Sequence, residues 1–377
     1  MEPETVLGNV SKIAEEFAGK RRERQLRRHL DPDDFSAIAG AGYLLVGVPE
    51  SMGGLWRNAP ASTRLVCEIL RTLAKGDPSV ALVSSMHSAV LNFWLSQPEA
   101  PEPYTAAWRD QCRYVAQTAL DGHFWGTVTS EPGSGGDVSK SRAVAKKQPD
   151  GSYRISGQKH FGSGSGVTSF MITTAVPEGE ELAETFFMDM RSVPWDGSTG
   201  LKLVAEWDGH GMIATQSHAF DLTDFPATRM AWPNMTSAVF GGPPAIFTAV
   251  VVGTAQSAVE AARTQIQRKK DQLRPYEEVE WARVEQDAWT IDQAYEGLLR
   301  AIETKGPAAR FDTLMAKLSI AELAESVTQR ICRVVGGGSF HRASHFGAAF
   351  EDVRALGFLR PPWGLAYDGV LPQVTQE

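Results

Sequence analysis

The spacing of apolar positions changes character twice along the chain. Up to about residue 122, apolar residues recur at intervals of three and four, as in helices that bury one face. Leu30-Asp-Pro-Asp-Asp-Phe joins an Asp cap to a Pro at the first helical position. Phe35, Ile38 and Ala39 continue that helix, and Gly40 and Gly42 help end it. Val48-Pro-Glu-Ser-Met-Gly-Gly54 reads as a turn. Helices are predicted over about 61–75 and 79–95, and Pro98, Pro101 and Pro103 mark a linker. From about 123 to 231 the pattern shortens. Residues 153–156, 169–176, 185–190 and 218–224 are apolar or alternating and bounded by Gly, Pro or Asp, as in the strands of a β-barrel or sandwich. Helical spacing then returns over 245–270, 279–303 and 308–335. Gly336-Gly-Gly338 ends the third of these, and a fourth is predicted over 341–359. The chain thus reads as an α+β protein, mostly α. Its parts are an N-terminal helical domain (1–122), a central β-barrel or sandwich domain (123–231) and a C-terminal four-helix bundle (232–377).

Composition narrows the function classes. An apolar fraction of 42% over 377 residues supports a full core. The net charge of −8 gives no reason to expect nucleic acid. The basic run Lys20–Arg28 reads as the solvated face of a helix, ahead of an anion site. Cys67, Cys112 and Cys332 are far apart and form no CxxC pair, so neither a disulfide framework nor a zinc site is implied. The N-terminus lacks the basic and apolar regions of a signal peptide, and no run approaches the ~20 apolar residues of a membrane span. The expectation is a cytoplasmic protein.

Three runs carry the candidate chemistry: Thr129-Ser-Glu-Pro-Gly-Ser-Gly-Gly-Asp-Val-Ser139, Ile155-Ser-Gly-Gln-Lys-His-Phe-Gly-Ser-Gly-Ser-Gly166 and Trp207-Asp-Gly-His-Gly-Met-Ile-Ala-Thr-Gln-Ser217. Each sets small and hydroxyl residues beside strand-like sequence. Glycines there let backbone approach a ligand, and turned N–H groups can receive ring carbonyls or phosphates. In order and spacing the runs resemble the acyl-CoA dehydrogenase flavoprotein superfamily, whose flavin loop reads Thr-Glu-Pro-Gly-Ala-Gly-Ser-Asp. The resemblance spans nearly the whole chain and implies FAD as cofactor, with FMN or a reduced flavin as the alternative. It places Thr129, Ser130, Gly135 and Gly136 at the flavin, with Asp137 unchanged from the family pattern. Phe161 and Ser163 fall on the family's Trp-x-Thr, where the aromatic packs the ring and the hydroxyl bonds it. It also implies a homotetramer in which a neighbouring subunit grips the cofactor through basic residues after the first bundle helix, here Lys269, and through Gln-x-x-Gly-Gly, here Arg333 with Gly336 and Gly337.

The family's catalytic carboxylate is missing. Aligning Glu351-Asp352 with the family's Arg-Asp puts the base position on Arg360, which cannot accept the proton. The other usual position, at Gly241-Gly-Pro-Pro244, holds no carboxylate either. Arg360 either binds an anion near the flavin or turns out to solvent. His87, in mid-helix, is the other candidate catalytic residue, beside the reading that it is structural. His160 and His210 abut the flavin-side runs. His341 and His345, four apart, have no Glu between them and read as surface histidines. The first reading of function is a flavin-dependent oxidoreductase acting on an acyl-CoA or a related activated carbonyl, with a small-molecule substrate that includes a CoA thioester and an electron-transfer partner. The alternatives are a monooxygenase supplied by a flavin reductase, and a non-catalytic flavin-fold protein.

Overall fold

A computed structural model describes residues 1–233 and 244–375. The N-terminal part is built from α1 (Pro3–Gly19), α2 (Arg21–Arg24), α3 (Pro32–Gly40), α4 (Ala59–Gly76), α5 (Pro78–Leu95) and α6 (Thr105–Leu120). Side-chain caps start three of them: Asp31 accepts from Asp33 N, Asn58 from Ala61 N and Asp77 from Val80 N, each followed by an early Pro. In the basic run, Lys20, Arg22 and Arg28 are exposed, but one member turns inward. Arg24 is buried between Asp34 and Asp77, at 2.6 and 2.8 Å, with its guanidinium over the Phe17 ring. Alternation and charge could not reveal this, because the partners come from other elements.

The strands are β1 (Trp125–Thr127), β2 (Val144–Lys147), β3 (Tyr153–Gly162), β4 (Phe170–Pro177), β5 (Glu184–Asp189), β6 (Leu201–Ala205) and β7 (His218–Arg229). They form one seven-stranded sheet ordered β1-β4-β2-β3-β7-β5, with β6 on β7. Because β4 also pairs antiparallel with β5, the sheet closes on itself as a barrel. Its interior is filled by Tyr153, Ile155, Met171, Phe186, Met188, Phe220 and Phe225.

The C-terminal helices are α7 (Ala245–Arg268), α8 (Pro275–Lys305), α9 (Arg310–Val335), α10 (His345–Val353) and α11 (Trp363–Val374). The predicted fourth bundle helix is shorter than expected. It gives way to a 3-10 turn at Arg354–Gly357 and an irregular stretch before α11. Of the described helices, α7 is long and apolar enough to cross a membrane, but 78% of its apolar window is buried inside this fold, as in a core helix. Gly253 lets α7 lie against α4: a Cβ there would stand 2.1 Å from Arg71 O. The predicted surface histidine His345 instead accompanies Ser257 of α7 at 3.2 Å, and burial pushes its imidazole down to about 4.

Helix α5 is the pivot of the site. It is buried on nearly all sides, between the N-terminal helices, α7 and the barrel. Tyr43 binds two of its residues: Tyr43 Oη donates to Ser84 O at 2.6 Å and lies 2.7 Å from Ser88 Oγ.

Candidate functional site

A cavity of 820 Å³ opens where the barrel meets α5, α7 and the stretch after α10, and all three small-residue runs line it. The first run is fastened from beneath. Glu131 is buried and accepts from Lys159 Nζ and Ser141 Oγ at 2.5 Å each and from Arg142 N at 2.7 Å, while Lys159 also donates to Thr174 O at 2.5 Å. Burial would raise the Glu131 carboxyl, but these partners hold it below the usual range. Burial lowers the Lys159 ammonium, with Glu131 opposing. A buried carboxylate neutralised by Lys159 and bonded in this way is an anchor for the loop. Above it the chain turns through Gly133, Gly135 and Gly136, at φ 77°, 62° and 81°, a region that side chains other than Gly rarely enter.

The second and third runs meet across the cavity wall. Gly164 N donates to Thr215 O at 2.8 Å, and a hydroxyl chain runs from Ser163 Oγ through Ser217 Oγ to Thr215 Oγ1, 2.8 Å at each link. Phe161 holds φ at 60°, strained for an aromatic residue, and its side chain is 57% exposed. Its ring meets Trp207 edge-on at 6.1 Å. The third run is pinned to α10. Asp352 Oδ1 accepts from Met212 N at 2.6 Å, and Gly211 packs so closely on the Glu351 carbonyl that a Cβ would lie 2.3 Å from it. Burial pushes the Asp352 carboxyl up to about 7.

Arg360 turns inward to the cavity wall. Its guanidinium donates to Gly136 O, to Thr129 Oγ1 at 2.8 Å and to Ser130 Oγ at 3.2 Å, so it joins the stretch after α10 to the glycine loop. Burial pushes it down to about 10, which still leaves it cationic at neutral pH. Sequence reasoning missed the group that sets this turn. Lys317, buried on α9, donates from Nζ to Leu359 O at 3.0 Å and to Pro361 O at 2.5 Å, the carbonyls on either side of Arg360. No local motif marks such a lysine, since its partners lie more than 40 residues away.

The other candidates fall elsewhere. His87 is fully buried among Tyr43 and Phe124 and is not part of the cavity wall, although its neighbour Met86 is. His87 Nδ1 accepts from Trp125 N at 3.2 Å, and burial pushes the imidazole down to about 3. His160 and His210 do line the cavity. Lys269 and Arg333 sit at the ends of α7 and α9, outside this cavity. Lys269 Nζ donates to Val334 O at 3.0 Å, and Arg333 faces Glu280 at 3.4 Å. Gly336 and Gly337 follow directly and do not line it either. The proposed alternative base position lies in residues 241–244, of which 241–243 fall outside the described residues.

The arrangement resembles known proteins over its whole length. No family model matches. YdbM of Bacillus subtilis, named as a candidate acyl-CoA dehydrogenase, is 23% identical over 98% of this chain and 96% of its own. SfnC of Pseudomonas putida, named as a candidate FMNH2-dependent monooxygenase, is 27% identical over 57% of this chain and 48% of its own. Among solved structures, FMN-bound TdsC of Paenibacillus sp. A11-2 superposes with a TM-score of 0.80 at 19% identity, covering 98% of this chain and 97% of its own. Taken with the helix–barrel–bundle order and the three runs meeting at one cavity, these likenesses show that the chain has the acyl-CoA dehydrogenase fold.

Proposed function

We propose that the protein is a flavin-dependent oxidoreductase working as a reduced-flavin monooxygenase on a small, largely apolar molecule. The observation that carries this is Arg360, a cation bonded into the glycine loop where a dehydrogenase of this family needs a carboxylate. Removing an α-proton from a thioester requires a positioned base. Among the described residues, the carboxylates lining the cavity are Glu131, held by Lys159, and Glu351, held by Arg354 at 2.6 Å. Both are engaged in ion pairs, and neither stands at the family's base position, which Arg360 occupies.

The residues present fit a flavin. The left-handed glycines leave backbone open to a ring or phosphate, the Ser163–Ser217 hydroxyls offer donors and acceptors at the wall, and Phe161 presents an exposed aromatic face. Thr129, Ser130, Gly135, Gly136, Phe161 and Ser163 would hold it, and Arg360 would favour negative charge on it. When bound, a reduced flavin supplies the electrons that activate dioxygen. The apolar wall from α5 and α7, including Met86, Val90, Phe93, Ile246 and Phe247, seats the substrate and excludes water. FMN suits this reading, with FAD as the alternative; TdsC is FMN-bound and SfnC is named for FMNH2. A flavin reductase would be the partner. Lys269 and Arg333 would serve the site of a second copy in a homotetramer, in the cytoplasm.

The test mixes the protein with reduced FMN and air in the presence of apolar aromatic substrates, and separately titrates oxidised, flavin-loaded protein with acyl-CoAs without oxygen. Oxygenated product with no bleaching by acyl-CoA is expected. Rapid anaerobic bleaching in the unmodified protein would show that a base exists and defeat the reading.

A further inference from the structure

A second cavity, of 690 Å³, lies behind the third small-residue run, where α2, the start of α5 and α10 meet. Gly76, Gly209, Gly347 and Ala348 on its walls leave the space open. It shares His210 and Glu351 with the main cavity as a common wall. Lys269, Arg333, Gly336 and Gly337 do not line it, so it is separate from the surface proposed for a neighbour's cofactor.

Charge in this cavity is unevenly matched. Of the cations on its wall, Arg24 pairs with Asp34 and Asp77, Arg28 with Asp208 at 2.6 Å and Lys75 with Glu260 at 2.7 Å. Arg21 and Arg342, which also line it, make no ion pair among the described residues. Arg21 is half-buried, and its Nη2 donates to Lys75 O at 2.5 Å. The carboxylates whose charge it feels, Asp77 and Glu260, stand beyond ion-pair range and are held by Arg24 and Lys75. Burial therefore lowers the Arg21 guanidinium, and the Arg21 charge adds to burial in holding His345 neutral. The acids on the wall do not supply the missing charge. Asp77 is bound to Arg24, Glu351 to Arg354, and burial pushes the Asp352 carboxyl up to about 7.

Withdrawing a guanidinium from water without a counter-ion is costly, and an anion in the cavity removes that cost. Guanidinium forks match phosphate oxygens best. Arg342 stands two residues from Phe340, whose ring is 97% exposed at the same rim. Two arginines beside an open aromatic face suit a phosphate joined to a planar base. The volume falls within the ~300–1,000 Å³ of small-molecule sites.

From this we infer that the second cavity binds a nucleoside phosphate, with Arg21 and Arg342 on the phosphates and Phe340 against the base. The site stands whatever reaction the main cavity performs. The net charge of −8 repels anions from the molecule as a whole, so binding needs this local match.

Calorimetric titration with ADP, adenosine and inorganic pyrophosphate, on the protein as purified and again after addition of FMN, tests the inference. Salt at about 0.15 M screens unspecific surface attraction. ADP is expected to bind at least ten-fold tighter than either fragment, and equally well with and without FMN. Arg21→Met and Arg342→Met should each weaken ADP about ten-fold, the loss of one charge-assisted hydrogen bond. Arg342 is exposed and makes no ion pair among the described residues, so its variant carries the test if Arg21→Met fails to fold. Phe340→Ala should bring ADP down towards pyrophosphate. Lys269→Ala with Arg333→Ala should leave ADP affinity unchanged. No binding of ADP, adenosine binding as tightly, or ADP affinity unchanged in Arg342→Met would overturn the inference. Pyrophosphate binding as tightly as ADP would show an anion site without a base and overturn the nucleoside assignment. Displacement of ADP by FMN, or its loss in the Lys269 and Arg333 variant, would put the ligand elsewhere and overturn it too.

Discussion

At the scale of single residues, the functional chemistry turns on which charges are matched and which are left neutral. Glu131 and Lys159 are both buried, yet each is tied to the other and to backbone or hydroxyl partners, so the pair fixes the glycine loop. His87 takes the opposite course. With its imidazole pushed to about 3, it stays neutral in the fold at any ordinary pH and acts as the acceptor for Trp125 N–H. The sign of its effect on stability follows. Its folded value lies below the ordinary value of ~6.5, so below pH 6.5 the unfolded chain takes up a proton that the folded chain refuses. Stability from this group is therefore complete above pH 6.5 and is lost as the pH falls toward 3, at about 1.4 kcal/mol per pH unit. His87→Gln keeps an acceptor and removes the titration. Urea unfolding at pH 7 and pH 5 should show the unmodified protein losing about 2 kcal/mol more than the variant over that interval. Equal losses would mean the imidazole is not neutral in the fold.

At the scale of elements, close backbone approaches set where the cavity walls stand. Helix α7 contributes Ile246 and Phe247 to the cavity, and its seat against α4 is set at Gly253, facing Arg71 O. The contact is to backbone on a neighbouring helix, so no rotamer change can relieve it. Gly253→Ala improves helix propensity by about 1 kcal/mol, yet the packing clash should outweigh that gain, for a net destabilisation of about 1–3 kcal/mol by urea unfolding. A variant as stable as the parent would show that α7 can slide, and that the cavity wall is softer than the packing suggests. The turn between α10 and α11 is governed in the same way. Lys317 bonds the carbonyls flanking Arg360, so a helix of the bundle aims a side chain at a loop of the barrel.

At the scale of the whole molecule, one chain supplies a cavity that Lys269 and Arg333 do not line. Lys269 and Arg333 are spent on Val334 O and Glu280 within the chain, and the large apolar side chains Phe340 and Trp289 stand 97% and 65% exposed. In the proposed assembly these basic groups serve the neighbouring copy's cofactor. Lys269→Ala with Arg333→Ala should cut flavin retention on gel filtration by ten-fold or more. Helical content should be unchanged, because Glu280 keeps Arg330 at 2.9 Å and Arg283 at 3.4 Å as partners. Sedimentation of a stable monomer with full flavin occupancy would refute the shared site.

The order of helices, barrel strands and bundle was legible in the sequence because it rests on local rules: apolar period, proline and glycine breaks, and Asp or Asn caps. The strand core was visible for the same reason, while β1, β2 and β6, of three to five residues each, were too short to show a pattern. The three small-residue runs declared themselves by composition, and the Arg at the base position by alignment to a known family. What the sequence left open for Arg360, solvent or site, was decided by contacts more than 200 residues apart in the chain. The same holds for buried Arg24 and for the Lys317 clamp. Each is a polar group whose meaning depends on what surrounds it, and only tertiary packing determines whether a charge or dipole finds a partner or is left without one.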